Sequence, residues 1–451
     1  MNKARKCIEE RYFKNLKEKP EVFVGVELEF PVVNMIGGAI DIETVLSLMD
    51  MLVSEKNFSV EKVDEQGNPI QIIADRYDDR ILFEVGYTII EFAFDKAKNI
   101  NEVNERFQEY FEIIQSYLKD FHHMLTGLGI NPWWNTNNSK CVSDPYYKVL
   151  EKYIEMAKNH PHMHPYERWT TFVQSNQVQI DVGKDNLVDV LNVFNKIEVV
   201  KAWLFANSYF WKKDMNTGIA RDFLWENSTH KLVKDQVGLF KKDFSSIEDV
   251  IDNFMHTAIF NIERNGKNYY IEPLTVEDYF GRNEVYAYDC DGNKIIVNPD
   301  YRDILRHRTF QYESLTKRGT VEFRSVCTQP ISDTFAPTAF HLGIFENLQA
   351  VKDLLEDNFF FKIYGEDIVT LRRKFSRLDL SWIEKNEIRA FSKMILDLAQ
   401  EGLKSRGLAE EQYLESLYRR IDTSTNPAEY GVKLFKRGYT LTEIADEFAF
   451  L

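Results

Sequence analysis

Along the chain, short runs of alternating apolar and polar residues are separated by longer stretches with apolar positions at helical spacing. VFVGVELEFPVVN at 22–34 has period two and is bounded by Gly37 and Gly38, which predicts a strand. Asp41 then opens a helix over DIETVLSLMDMLVSE, and ILFEVGYTIIEFAF at 81–94 is a second β-type run. Asn99 starts a long amphipathic helix reaching about Leu128, with Gly127 and Gly129 as its stop. Residues 131–165 are irregular apart from a helix around Tyr147–Ala157. WTTFVQSNQVQIDV at 169–182 is the third clear strand, and a helix follows at about 186–210. Further strands are expected near 256–272, 294–297 and 319–327. Residues 1–19 read as a charged helix, 330–351 as a loop entering a helix, and the last hundred as helical throughout.

The strands carry polar residues on one face. Parallel sheets covered on both sides are continuously apolar instead, so the pattern predicts an α+β fold with a mainly antiparallel sheet and one functional face. With 451 residues, 44% hydrophobic and 14% aromatic, including 33 Phe and 22 Tyr, the chain has material for a large core. Its net charge of −15 lacks the basic footprint of a non-specific nucleic-acid binder. Anionic small substrates remain open, because an arginine pocket or a bound metal reverses the local field. Cys7, Cys141, Cys290 and Cys327 form no CxxC pair and no disulfide framework, which fits a reducing cytoplasm. The charged amino terminus has no apolar segment of a secretory signal, and no run of about 18 apolar residues predicts a membrane span.

The candidate chemistry lies in the strands. Glu27 and Glu29 sit two apart, so both carboxylates project from one face, about 6–7 Å apart along the chain. Val26, Leu28 and Phe30 point the other way. Two like charges side by side repel unless a cation lies between them, and Mg²⁺ with its oxygen preference suits the position. The competing reading is an exposed strand face with two solvated glutamates. Glu84 and Glu91 flank Gly86 at an odd separation, which needs a bulge or turn to bring them to one face. Gln177, Gln179 and Asp181 share a face, and so do Glu322 and Arg324 in TVEFRS. A carboxylate beside a guanidinium fork suits a polyphosphate, since a metal bridges its oxygens while the arginine pairs with one. Four such strands make solvation alone a poor explanation.

Other motifs carry less. His160, His162 and His164 alternate as HxH without an accompanying cysteine or carboxylate pattern, and the segment reads as loop. Cys327 reads as a small buried residue, and Trp133, Trp134 and FFFK at 359–362 as core. The chain has neither GxxxxGK[ST] nor GxGxxG, so a nucleotide would be bound by another architecture.

GVELEF at 25–30, FEVG and IIEFA at 84–93, NQVQIDV at 176–182 and GTVEFRS at 319–325 follow the order seen in glutamate–cysteine ligases. The chain resembles the branch of that family found in plants and many bacteria. GINPWWN at 129–135, RDFLW at 221–225 and PTAFHLGIF at 337–345 agree, and the resemblance covers roughly residues 20–350. It implies a glutamine-synthetase-like carboxylate–amine ligase, with a curved antiparallel sheet of about six strands forming a funnel-like active site. Residues 1–350 would be the catalytic domain and 351–451 a helical region packed on it. Carried over by position, Glu27, Glu29, Glu84, Glu91, Gln179 and Glu322 would be metal ligands or their close neighbours. Arg324 would meet the ATP γ-phosphate and act catalytically with Glu322, Gln177 would face the nucleotide or a metal, and Arg221 with Trp225 would hold glutamate.

The resemblance further implies ATP as substrate, two or three Mg²⁺ ions, and cysteine as the amine joined to glutamate through a γ-glutamyl phosphate. A ligase for another carboxylate or amine, and a non-catalytic nucleotide-binding homologue, are the alternatives. The chain departs from the family pattern in VGYTII, with its single Gly and one extra residue, in Asn176, and in the insertion at 281–300. Those departures bear on the acceptor amine. Partners are expected to be small molecules, with neither nucleic acid nor membrane.

Overall fold

The computed structural model describes residues 3–138, 140–213 and 215–451. Its main sheet comprises β1 (Val24–Asn34), β2 (Phe58–Val63), β3 (Pro69–Ala74), β4 (Arg80–Phe83), β5 (Ile89–Ala93), β6 (His123–Leu125), β7 (Asn176–Asp181), β8 (Glu313–Leu315) and β9 (Thr320–Phe323). The spatial order is β8-β9-β7-β1-β5-β4-β3-β2, with β6 on the far end of β1, and every neighbouring pair is antiparallel. The α+β class and the antiparallel sheet are as the pattern predicts. The strand number is nine rather than six.

The apolar alternates of these strands build the core. Val26, Leu28, Phe30, Ile81, Phe83, Ile90, Phe92, Val178, Ile180, Val321 and Phe323 are fully or almost fully buried. Against them pack the helices Ile100–Asp120, Leu187–Lys196 and Ala336–Glu346, with Phe107 5.8 Å from Phe30 and 5.6 Å from Phe92 between ring centres, and Phe194 4.3 Å from Phe323. Period-two alternation thus gives each strand one oily face and leaves the other for polar side chains. The carboxyl-terminal helices continue the same buried apolar cluster, which runs from Ala4 to Ile421. The longest, Trp382–Arg406, starts at a Ser381 capping box and meets Ala336–Glu346 backbone to backbone. A Cβ on Gly402 would stand 2.1 Å from the Gly343 carbonyl oxygen, so only glycine permits that crossing.

Several local expectations are corrected. The run 81–94 is two strands joined by a turn. The helix capped by Asn99 ends at Asp120, ahead of Gly127 and Gly129, because the chain reverses at His122 (φ 57°) into β6. The helix at 186–210 is two, Leu187–Lys196 and Glu198–Leu204. The charged amino-terminal helix is Lys3–Ile8 followed by a π-helical turn, Glu9–Phe13. The insertion at 281–300 contains the hairpin Val285–Tyr288 and Lys294–Val297 of a separate four-stranded sheet. Among the described residues no helix is long and apolar enough to cross a membrane.

Candidate active site

A cavity of about 670 Å³ opens over the polar face of the sheet. Glu27, Glu29, Glu84, Glu91, Gln177, Gln179, Glu322, Arg324, Arg221 and Trp225 all line it. Strand register explains the gathering. Glu91 lies directly opposite Glu29, Gln177 opposite Glu27, and Gln179 opposite Glu322, and opposed residues of antiparallel strands project to the same side.

Glu84 arrives by the turn. Leu82 pairs with Glu91 in the β4–β5 hairpin, so Glu84, two residues beyond Leu82, falls on Glu91's face despite the odd spacing. The turn holds Val85 at φ 57°, a costly conformation for a β-branched side chain. Tyr147 donates to Glu84 Oε2 at 3.3 Å.

Hydrogen bonds tie the acids into a row. Glu29 accepts from the Ser175 backbone N–H and from Gln177 Nε2, each at 2.8 Å. Gln179 Nε2 donates at 3.0 Å to both Glu27 Oε1 and Glu322 Oε1, while its Oε1 accepts from Arg318 at 3.3 Å and Thr320 at 3.2 Å. Arg324 forms an ion pair with Glu322.

Burial and mutual repulsion weaken these acids. Glu27 is pushed up to about 7 by burial and the Glu322 charge, and Glu29 to about 7 by burial and the Glu84 charge, with Arg221 opposing. Glu91 is raised well above the ordinary range by burial, Glu84 and Glu27. Five carboxylates sharing one cavity supply hard oxygen donors, the chemistry that Mg²⁺ favours, beside the lysine and arginine side chains that line the same cavity. As the side chains stand, no three Asp, Glu, His or Cys groups among the described residues converge on one point. The Gln179 amide occupies the space between Glu27 and Glu322 instead.

Arg221 sits on the helix Ala220–Glu226. It is 4% exposed, and its Nε has no hydrogen-bond partner. Trp225 lies one helical turn on and packs edge to face on Trp169 at 4.5 Å. Both arginines are braced from behind. Arg372, from the carboxyl-terminal helices, donates to Asp222 at 2.7 Å and to the Ser325 carbonyl at 3.3 Å, next to Arg221 and Arg324 respectively. Arg372 also pairs with buried Glu198, which Lys201 and Arg372 together hold at about 2 despite its burial.

The cavity also contains residues that the strand pattern did not single out. His230 is buried against Trp225 and Phe310, and burial pulls it down to about 3, so it is neutral. Lys62, Arg80, Tyr146, Tyr147 and Arg308 line the walls. Most lie on loops, helices or the solvent-exposed edge strand, where no alternation marks them. Of the histidine motif, His160 and His162 are exposed, while buried His164 uses both ring nitrogens, towards the Leu224 carbonyl at 2.8 Å and the Tyr166 N–H at 3.2 Å. Cys327 is fully buried with its Sγ 3.2 Å from Ser208 Oγ. No residue of 281–300 is among those lining the cavity.

An antiparallel sheet with an acid-lined polar face flanked by arginines defines the class of site. The family model of glutamate–cysteine ligase family 2 matches residues 23–439, and the chain belongs to that family. It is 21% identical over 320 residues to the chloroplastic glutamate–cysteine ligase of Medicago truncatula, covering 68% of this chain and 58% of that one. The Arabidopsis thaliana chloroplastic enzyme is 20% identical over 320 residues, with 68% and 57% covered. The chain thus spans somewhat under two thirds of the length of these curated relatives. The crystal structure of the Francisella tularensis glutamate–cysteine ligase in complex with AMP shares the fold. It has a TM-score of 0.51 and 12% identity, and 96% of this chain and 89% of that one are covered.

Proposed function

We propose that the protein is an ATP-dependent carboxylate–amine ligase that joins glutamate to cysteine, giving γ-glutamylcysteine. The observation that carries this reading is that five glutamates, two glutamines, Arg221 and Arg324 line one cavity. The names of its curated relatives, and the AMP in the Francisella structure, support glutamate, cysteine and an adenine nucleotide as the ligands.

Glu27, Glu29, Glu84, Glu91, Glu322 and Gln179 would hold two or three Mg²⁺ ions, with the Gln179 amide rotated so that Oε1 faces the carboxylates. Bound there, the metal would neutralise triphosphate charge and polarise the γ-phosphoryl group. Arg324, kept in line by Glu322, offsets charge on the phosphoryl group in flight, and Gln177 borders the nucleotide. Arg221 forms a bidentate pair with a glutamate carboxylate, and Trp225 walls that end of the site. The glutamate side-chain carboxylate attacks the γ-phosphorus and ADP leaves. The cysteine amine then displaces phosphate from the γ-glutamyl phosphate. No protein nucleophile is required, and positioning supplies the rate.

Residues 1–350 are the catalytic domain in this reading, and 351–451 brace it through Arg372. Four free cysteines favour a reducing compartment, the cytoplasm. Buried, mutually repelling acids have no structural use in a non-catalytic nucleotide-binding homologue. The acyl phosphate is tested with hydroxylamine, which should trap γ-glutamyl hydroxamate from glutamate and MgATP without cysteine. Amide formation without hydroxamate would count against the intermediate.

A further inference from the structure

The family match begins at residue 23, yet the segment before it forms part of the cavity wall, through Arg11 and Tyr12. The segment is built in. Tyr12 Oη stands 2.7 Å from His307 Nδ1, and Arg11 Nη2 donates to the His307 carbonyl at 2.8 Å. Asn15 Nδ2 donates to the Lys317 carbonyl at 2.9 Å, on the β8–β9 turn. That turn passes so close that a Cβ on Gly319, which is at φ +84°, would lie 3.0 Å from the Asn15 carbonyl oxygen.

The cations of the cavity fall into two groups. Lys62, Arg80, Arg306 and Arg324 each pair with a carboxylate. Arg11, Arg221, Arg308, Lys317 and Arg318 line the same cavity and form no ion pair among the described residues, and Arg221 among them is the residue already assigned to the glutamate carboxylate. Arg11 Nε is buried without a hydrogen-bond partner, and Arg318 reaches only the neutral Gln179 amide. Lys317 and Arg318 share the β8–β9 turn, which Asn15 ties to the amino-terminal segment that carries Arg11. Arg11, Arg318 and Arg308 all act on Lys317, whose ammonium is lowered by burial and by them. Arg308 acts in turn on Arg324. Glu84 and Glu322 act on Arg308, and Arg318 on Glu27, across the cavity, but no carboxylate pairs directly with any of the four besides Arg221. Four cations without a directly paired carboxylate repel one another, and an anion of several charges relieves them. A carboxylate carries one charge, whereas a polyphosphate carries several, spaced along a chain, and suits guanidinium forks.

We propose that Arg11, Arg308, Lys317 and Arg318 form a basic wall that binds the polyphosphate chain of the nucleotide beyond the phosphate at Arg324. The amino-terminal segment is therefore part of the nucleotide site. This deepens the ligase reading and rests on it for the identity of the nucleotide.

The test is equilibrium binding of MgATP and of inorganic tripolyphosphate to the full chain and to R11Q, R11K and R318Q. Both glutamine variants should weaken both ligands by similar factors, about tenfold or more, as for loss of a charged hydrogen bond. R11K should lose less. MgATP affinity within about twofold of the parent in R11Q and R318Q would overturn the proposal. Weakened MgATP with unchanged tripolyphosphate would overturn it too, because those residues would then be reading the nucleoside. Should R11Q lower the thermal midpoint of the ligand-free protein, R318Q decides, since its exposed side chain carries no part of the amino-terminal packing. A parent chain that binds MgATP but joins glutamate to no amine sinks the ligase reading and leaves the basic wall standing. Normal ligation with parental nucleotide binding in both variants does the reverse.

Discussion

Glu29 and Glu91 are direct cross-strand partners, 6% and 8% exposed, with both carboxylates on the cavity side. Burial and the neighbouring carboxylates hold the Glu91 carboxyl well above the ordinary range, so the pair costs the ligand-free fold stability near neutral pH. Glu91→Gln should therefore stabilise the metal-free protein by about 0.2–1 kcal/mol while lowering turnover by several orders of magnitude. Glu29→Gln should lose turnover equally, at less gain in stability, because Glu29 accepts two good hydrogen bonds. Thermal midpoints and ADP release check both. Turnover within about tenfold of the parent in both variants would remove these acids from the metal site.

The same acids set a pH dependence. Glu27 and Glu29 are raised to about 7 by burial and by neighbouring charge, so the native state binds more protons than the unfolded chain between about pH 4.5 and 7. Stability of the metal-free protein should fall as pH rises through that window. Saturating Mg²⁺ should flatten the fall, because a cation favours the ionised forms. Midpoints measured from pH 5 to 7.5, in EDTA and in Mg²⁺, decide it. Parallel curves would contradict the metal assignment.

The two arginines are expected to separate kinetically. Arg324→Lys keeps the charge and loses the fork, and kcat should fall by about 10²–10³, as for loss of one preorganised donor. Arg221→Lys should raise the glutamate KM with the ATP KM little changed, the pattern for uniform binding of one substrate. If the glutamate KM stays put, Arg221 is a structural residue of its helix.

What is legible in the sequence follows the period of the backbone. Glu27 and Glu29, Gln177 and Gln179, and Glu322 and Arg324 are each two apart on regular strands, so spacing alone puts each pair on a common face. Spacing misleads for Glu84 and Glu91, because their parity is set by a turn with Val85 in the left-handed region. The edge strand β2 leaves no signal, since nearly all of it is exposed on both faces and shows no alternation. Arg11, Arg308, Lys317 and Arg318 lie on a helical turn and on loops. Only the packing of the amino-terminal segment on the His307 stretch and the β8–β9 turn reveals that they meet.

A ligase of this kind spends the cleavage of ATP on joining glutamate to an amine. Measuring ADP and amide together, with glutamate, Mg²⁺ and a panel of amines that includes cysteine, tests it most directly. One ADP per amide is expected, with cysteine giving γ-glutamylcysteine at the highest kcat/KM of the panel. Amide at the same stoichiometry with another amine preferred would keep the chemistry and change the acceptor. ADP released equally with and without any amine, or no ADP with any of them, would contradict it.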